Sequence, residues 1–330
     1  PAVIPSEHFN TVLYTGTGGT NAITGVGFAP DFVWAKYRSA SANHSLFDKI
    51  RGATKRLYSN TTNAENTHTG SLTSFDSDGF TMGSAATTNE SGQTYVAWNW
   101  KANGAGVSNT NGTITSTVSA NADAGFSIVS YTHTGNDETV GHGLSKAPEM
   151  VIIKGRNVST SWYVLTTLID GSLDYLLLES TAAKGNLGYS SPTANTFPSL
   201  QFSNGNTAIA YCFHSVEGYS KVGSYTGNGS ADGTFVHCGF RPAYVMVKDT
   251  ENSSWPWWIH DTARNPINPS TKQLSPNSSA AEYDDATYTA LGIVSNGFKW
   301  RTSEAQVNAN GETFIYIAFA ENPFKYTNAR

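Results

Sequence analysis

The sequence predicts an all-β protein, and three observations carry that reading. Charged residues make up only 14% of the 330 residues while aromatics reach 12% and glycines number 31, a mixture that suits short strands joined by tight polar turns. Runs of four to eight residues rich in Val, Ile, Tyr, Phe, Trp and Thr, bounded by Gly, Asn, Asp or Pro, recur along the whole chain, which is the strand signature. Apolar spacing at i, i+3, i+4, i+7 with caps is not found; the nearest stretches, Ile169 to Ser180 and Asp284 to Leu291, are short.

The length exceeds what one core usually supports, so two or three domains are expected, and an internal repeat decides for three. Tyr14-Thr15-Gly16 leads through Gly27-Phe28-Ala29-Pro30 to Phe32-Val33-Trp34-Ala35-Lys36. Tyr131-Thr132-His133 leads through Lys146-Ala147-Pro148 to Met150-Val151-Ile152-Ile153-Lys154. Tyr225-Thr226-Gly227 leads through Gly239-Phe240-Arg241-Pro242 to Tyr244-Val245-Met246-Val247-Lys248. The Tyr-to-Lys spacings are 22, 23 and 23 residues. Downstream, Asp78-Gly79-Phe80 and Tyr95-Val96-Ala97-Trp98 match Asn296-Gly297-Phe298 and Phe314-Ile315-Tyr316-Ile317, with Asn204-Gly205 and Ala208 to Phe213 as the looser second version. The pattern predicts domains over 1–104, 105–218 and 219–330, each an antiparallel β-sandwich of jelly-roll-like type, in tandem.

Several elements follow in order. Pro30, Pro148 and Pro242 sit where a strand begins, before its ladder needs an N–H. Val151 to Ile153 and Val245 to Val247 are continuously apolar, as expected of strands covered on both faces. Asn111-Gly112, between alternating Thr and Ile, reads as a hairpin in the linker that begins the second domain. Gly79 and Gly297 are expected to take positive φ in hairpins and to resist replacement. The short interval from Phe213 to Tyr225 leaves open a strand shared between successive sheets.

A net charge of −5 and a pI near 5.9 give no cationic footprint for nucleic acid or an anionic membrane. No apolar run approaches the roughly 18–20 residues that span a bilayer, and the start, PAVIPSEHFN, has no leader pattern. The first residue is Pro1, as expected either of Met removal or of a fragment. A soluble chain without membrane insertion is expected. Cys212 and Cys238 read as two buried apolar side chains, with a disulfide between them the alternative.

Candidate chemistry is sparse. Asp48/Arg51 and Asp261/Arg264, a carboxylate three residues before a guanidinium in two places, read as loop pins. Glu282, Asp284, Asp285 and Glu304 lack calcium-loop spacing and read as a solvated cluster, with a glycosidase pair the alternative. The histidines lack zinc spacing, and nucleophile elbows and phosphate loops are missing. No catalytic residue, metal or cofactor is therefore expected. Trp255, Trp257 and Trp258 are the candidate ligand-binding residues, because indole faces stack on the C–H faces of sugars. Alternation along a strand sends Trp257 and Trp258 to opposite faces, and part of this cluster is a core strand.

The motifs Tyr-Thr-Gly, Gly-Phe-Ala-Pro-Asp-Phe-Val-Trp-Ala-Lys, Asp-Gly-Phe, Tyr95-Val96-Ala97-Trp98-Asn99-Trp100-Lys101-Ala102 and the stretch Asn109 to Val129 together resemble a family of tandem β-domain virion proteins, tail-fibre-like or lectin-like, of tailed and often marine bacteriophages. The match is closest over Tyr14 to Lys101 and Asn109 to Thr132, and His133 departs from the Gly expected after Tyr131-Thr132. The resemblance implies a structural protein on the tail or capsid surface, oligomeric, contacting other virion proteins and through its aromatics a bacterial surface glycan. Its rivals are a decoration or head-fibre protein without a ligand and a surface-polysaccharide depolymerase.

Overall fold

Strand Phe32–Tyr37 sends Phe32, Trp34 and Lys36 to one side and Val33, Ala35 and Tyr37 to the other, and all six are buried. Met150–Gly155 is likewise buried throughout, and Pro242–Asp249 nearly so. Each of these strands therefore lies between two apolar layers, as their unbroken apolar runs predict. The computed structural model describes residues 3–135, 138–200 and 202–321; Pro1, and with it the expectation about the start, lies outside them.

Three large sheets follow one plan, and every pairing in them is antiparallel. The first runs Phe9–Thr15, Thr94–Trp100, Phe32–Tyr37, Ser45–Asp48, Lys55–Tyr58, Asn66–Thr67. The second contains the same sequence of places as Phe126–Thr132, Thr207–Phe213, Met150–Gly155, Trp162–Thr166, Asp174–Leu177, Gly185–Asn186, preceded by the hairpin Val107–Asn109 with Ser116–Asn121. The third runs Ser220–Thr226, Thr313–Ala320, Pro242–Asp249, Trp258–Asp261. Among the described residues no strand is shared between these sheets, and the short connection from Phe213 to the next strand places Tyr219 in the common core. Among the described residues α-helix is limited to two single turns, Ala86–Asn89 and Ala305–Asn308.

The outer face of each large sheet is covered by its own small one: Asn21–Ile23 with Gly79–Met82 and Leu72–Asp76, then Thr139–Gly141 with Thr196–Pro198, then Phe235–His237 with Gly297–Trp300 and Leu291–Val294. Three separate apolar clusters fill these layers. The inner faces meet in one common core that draws Phe32, Trp98, Phe126, Tyr211, Tyr244 and Phe319 from all three sheets. Aromatic pairs cross every boundary, with Phe32 stacked on Tyr211 at 4.3 Å between centroids, Phe213 against Phe319 at 6.1 Å and Trp98 against Tyr244 at 5.8 Å. Sheet three thus returns to sheet one, closing the chain around its own axis.

Gly79 and Gly297 are constrained by space. A Cβ on either would stand 2.0 Å from a carbonyl oxygen of the facing strand, that of Ile23 or Val236. The hairpin conformation expected at Gly297 is not what restricts it, because its φ is not positive.

Candidate functional site

The strand that carries the Trp cluster divides it between two environments. Trp257 is fully buried in the common core, and its indole N–H donates to the Leu177 carbonyl of the second sheet at 3.0 Å. Trp162 makes the matching bond from the second sheet to Tyr58 of the first, at 2.8 Å. Trp257 is therefore a packing residue with no free face, which corrects its reading as a ligand contact. Trp258 points the other way, into the outer layer, and is 8% exposed with no partner for its indole nitrogen. Trp255 is half-buried, also with an unpartnered indole nitrogen.

Trp258 lines a cleft of about 440 Å³ at the edge of the third sheet. Tyr283 and Tyr288, about half exposed, form aromatic walls with Pro256. Its polar lining includes Gln273, Ser275, Asp285 and Gln306 from the third sheet's region, and Thr181 from a loop of the second. Gln273 is 3% exposed and its Oε1 has no hydrogen-bond partner. A buried donor and a buried acceptor without partners are costly features in a folded chain, and here both belong to residues that line one cleft. Asp285 accepts from the Thr287 amide at 2.7 Å, and among the described residues no Lys, Arg or His lines the cleft.

Local differences explain why the cleft is open here. On the first sheet, the place of Gln273 in the strand register belongs to Arg56, whose guanidinium lies 4.7 Å over the Tyr58 ring and donates to Ser71 Oγ at 3.0 Å. On the second it belongs to Tyr175, packed against Tyr163 at 5.4 Å and over Gly185, where a Cβ would meet the ring at 2.6 Å. Both side chains fill space that Gln273 leaves. The Ala42 amide also ties the first sheet to the Ser279 carbonyl at 2.8 Å, and the Thr160 amide ties the second to Thr62 at 3.0 Å. The corresponding backbone bond between Trp255 and Thr181 is not formed.

The acidic candidates separate. Glu282 is gripped by Arg38, through two bonds of 2.9 Å, and by Arg264 at 3.1 Å. Burial alone would raise its carboxyl, but the two guanidiniums hold it below the usual range. It is a structural ion, unavailable as a glycosidase acid. Asp284 is exposed and accepts from Thr271 Oγ1 at 2.6 Å, Glu304 is half-buried beside the turn Ala305–Asn308, and only Asp285 lines the cleft. Asp48 and Asp261 each accept from the backbone amide of their Arg partner, Arg51 or Arg264, at 2.8 Å and from its Nε, with all four side chains buried. Cys212 and Cys238 are free and lie in different outer layers; burial pushes the Cys238 thiol up to about 12. Among the described residues no group of three or more His, Cys, Asp or Glu is placed to hold a metal.

Gln273, Tyr283 and Tyr288 escaped the sequence reading. The signal present was Tyr283-Asp284-Asp285 followed by Tyr288, in which carboxylates drew the attention that the interleaved tyrosines warranted. Comparison with curated proteins and with solved structures returns no match. A family described as a domain of unknown function, DUF7483, matches residues 4–323, so one family unit spans all three sheets and the common core, and the chain belongs to it.

Proposed function

We propose that the chain is a non-enzymatic surface component of a bacteriophage virion, of tail-fibre or adhesin type, that attaches to a bacterial surface glycan through the Trp258 cleft. The observation that carries the attachment reading is the pairing of aromatic walls with two buried, unpartnered polar atoms, Trp258 Nε1 and Gln273 Oε1, a combination suited to a ligand with apolar faces and hydroxyl edges. The virion reading rests on the sequence motifs that resemble tail-fibre-like and lectin-like proteins. On this reading the three sheets with their small partners are three diverged copies of one sandwich, supported by their common strand order. Sharing a core makes them one rigid head, where independent sandwiches would make a spacer.

Other virion proteins and further copies of the chain are the expected partners. A decoration or head-fibre role without a ligand is the second reading, favoured by the closed core, which suits a scaffold. A depolymerase is disfavoured because Glu282 is committed to Arg38 and Arg264. The test is binding of the labelled chain to intact bacteria and to a glycan array. Saturable binding abolished by Tyr283→Ala, an exposed position, supports attachment. Binding unchanged by Tyr283→Ala and Trp258→Ala moves the site elsewhere, and no binding by the folded chain supports the scaffold.

A further inference from the structure

We infer that the cleft selects an uncharged sugar segment and rejects acidic ones; this rests on the attachment reading above and specifies its ligand. Three features of the lining lead there.

First, its fixed polar groups call for a ligand that both gives and takes hydrogen bonds. The Trp258 indole can only donate and Gln273 Oε1 can only accept. Both belong to side chains more than nine-tenths buried, and neither has a partner among the described residues. Hydroxyls satisfy either group, and a sugar ring offers several at fixed spacing. Both atoms are closed off from solvent and unpaired in the free chain, so a hydroxyl that met them on a small turn of either side chain would relieve the cost of burying a lone polar group, and an apolar ligand would not.

Second, the charge of the lining has one sign. Among the described residues Asp285 is the only charged side chain in it, and the chain as a whole carries a net charge of −5. A uronate, sialate or phosphate placed there meets a carboxylate with no guanidinium or ammonium in the lining to offset it. Like charges brought together in a partly desolvated site are disfavoured. The same argument removes nucleotides, whose bases would stack on Tyr283 and Tyr288 but whose phosphates would have no cation.

Third, size and shape fit a short segment. About 440 Å³ lies in the lower part of the range of small-ligand sites, roughly 300–1,000 Å³. The half-exposed Tyr283 and Tyr288 present ring surface, while Trp258 is 8% exposed with its indole nitrogen just beneath the lining. One face of a sugar can therefore rest on tyrosine while its hydroxyls lie over Trp258 and Gln273.

The experiment is titration of the full chain with a matched pair of oligosaccharides, one neutral and one with a uronic acid at the same ring, followed by tryptophan fluorescence and calorimetry, on the wild type, Asp285→Asn, Gln273→Leu and Tyr283→Ala. The expected result is that the neutral member binds more tightly and that Asp285→Asn narrows the gap. Gln273→Leu should weaken neutral binding about tenfold, the worth of one good hydrogen bond. Tyr283→Ala, at an exposed position, provides the loss-of-binding control if the buried Gln273 change disturbs folding. Equal or tighter binding of the acidic member overturns the charge selection while leaving attachment intact. Failure of both members, in the wild type and in Asp285→Asn alike, overturns the attachment reading itself.

Discussion

Two of the three junctions between the large sheets are built around a buried ion cluster, and the third is not. Between the first and second sheets, Asp48 and Arg51 are joined by Glu65, which takes two bonds of 3.1 Å from Arg156, while Tyr211 donates to Asp48 at 2.8 Å. Between the third and first, Asp261, Arg264 and Glu282 repeat the arrangement with Arg38 and with Trp98, whose indole donates to Asp261 at 3.0 Å. Between the second and third, the same places in the register hold Thr166, Ile169, Lys184, Thr250 and Ile317. Yet the backbone bond is common to all: Glu65 N to Arg156 O at 2.6 Å, Glu282 N to Arg38 O at 2.9 Å, Lys184 N to Thr250 O at 2.8 Å. Apolar packing, one backbone bond and the Trp257 indole bond to Leu177 thus close a junction without an ion cluster between the sheets. The clamps are an addition, and the junction lacking them is the one whose edge opens into the cleft.

The largest effect should come from breaking a clamp on one side. Arg51→Ala or Arg264→Ala leaves an Asp and a Glu in a buried site without their shared cation, and each should lose about 3–5 kcal/mol in a urea titration. Burial by itself would lower these guanidiniums, but Asp48 and Glu65, or Asp261 and Glu282, raise them above the ordinary arginine value. Similar losses at the two positions would establish the clamps as equivalent. A loss under about 1 kcal/mol at either would mean that water replaces the cation there, and the contrast with the third junction would collapse.

Replacing the clamp as a whole should cost less than breaking it. A variant with Asp48→Thr, Arg51→Ile, Arg156→Thr and Glu65→Gln gives the first junction the neutral character of the third. Gln stands in for Lys184 because the acids that hold Lys184 have Gly52 and Lys55 at the matching places. Exchanging buried ions for packed neutral groups is often close to neutral, so this variant should lie within about 2 kcal/mol of wild type and above Arg51→Ala. If the multiple variant is less stable than the single one, the clamps also set the fit of the surrounding core.

Acid should separate the junctions. Burial and then Lys36 push His44 well below its usual value, and Glu282, despite its burial, is held below its own by Arg38 and Arg264; both lie at the third-to-first junction. Below about pH 6.5 the unfolded chain binds a proton that native His44 refuses, so stability falls as pH drops, and the Glu282 contribution is lost further down as that carboxyl is protonated. Hydrogen exchange on acidification should release the Ala42 amide before that of Lys184. On the alkaline side the junctions should behave alike, because burial brings Lys36, Lys154 and Lys248 down to about 8. Between pH 8 and the onset of tyrosine ionisation in the unfolded chain near about pH 10, stability should rise with pH, and Lys154→Met should flatten that rise. A flat profile in the wild type would show that the three ammonium groups are hydrated in the native state.

The sheets were legible in the sequence because each position in them is fixed by local chemistry: Pro before the strand, an apolar run covered on both faces, Lys at its end, and Asp or Asn before the close-approach glycines. The Asp48/Arg51 and Asp261/Arg264 pins were legible for the same reason, with both partners one turn of chain apart. Their completion by Arg156 and Arg38 was not, since those partners arrive from another sheet. Closure around one core was hidden too. The inner face of Phe32–Tyr37 has the same composition whether it meets its own second layer or two other sheets. The cleft is a vacancy, produced by Gln273 where Arg56 and Tyr175 fill space elsewhere, and a vacancy has no motif.

The smallest expected effect is at the unclamped junction itself. Lys184 lies 3.0 Å from Asp174 and also pairs with Asp170, but it is 30% exposed and Asp170 48%. Asp174 is 2% exposed but keeps the bond from Asn186 Nδ2 at 3.0 Å when Lys184 is removed, and the exposed Lys184 and Asp170 are screened and costly to hold in place, so Lys184→Ala should lose about 1 kcal/mol, and less in high salt. That places it well below Arg51→Ala although the two residues belong to corresponding junctions. Because Lys184 follows Thr181 by three residues and its amide is the backbone tie to Thr250, the same variant reports on the cleft. If the backbone bond and Trp257 hold the loop, as the geometry indicates, ligand affinity should stay within about twofold of wild type, a difference of under about 0.5 kcal/mol. A loss of several kcal/mol, or of binding, would show that the Lys184 cluster is a clamp after all, turned outward, and that the third junction is held as firmly as the other two.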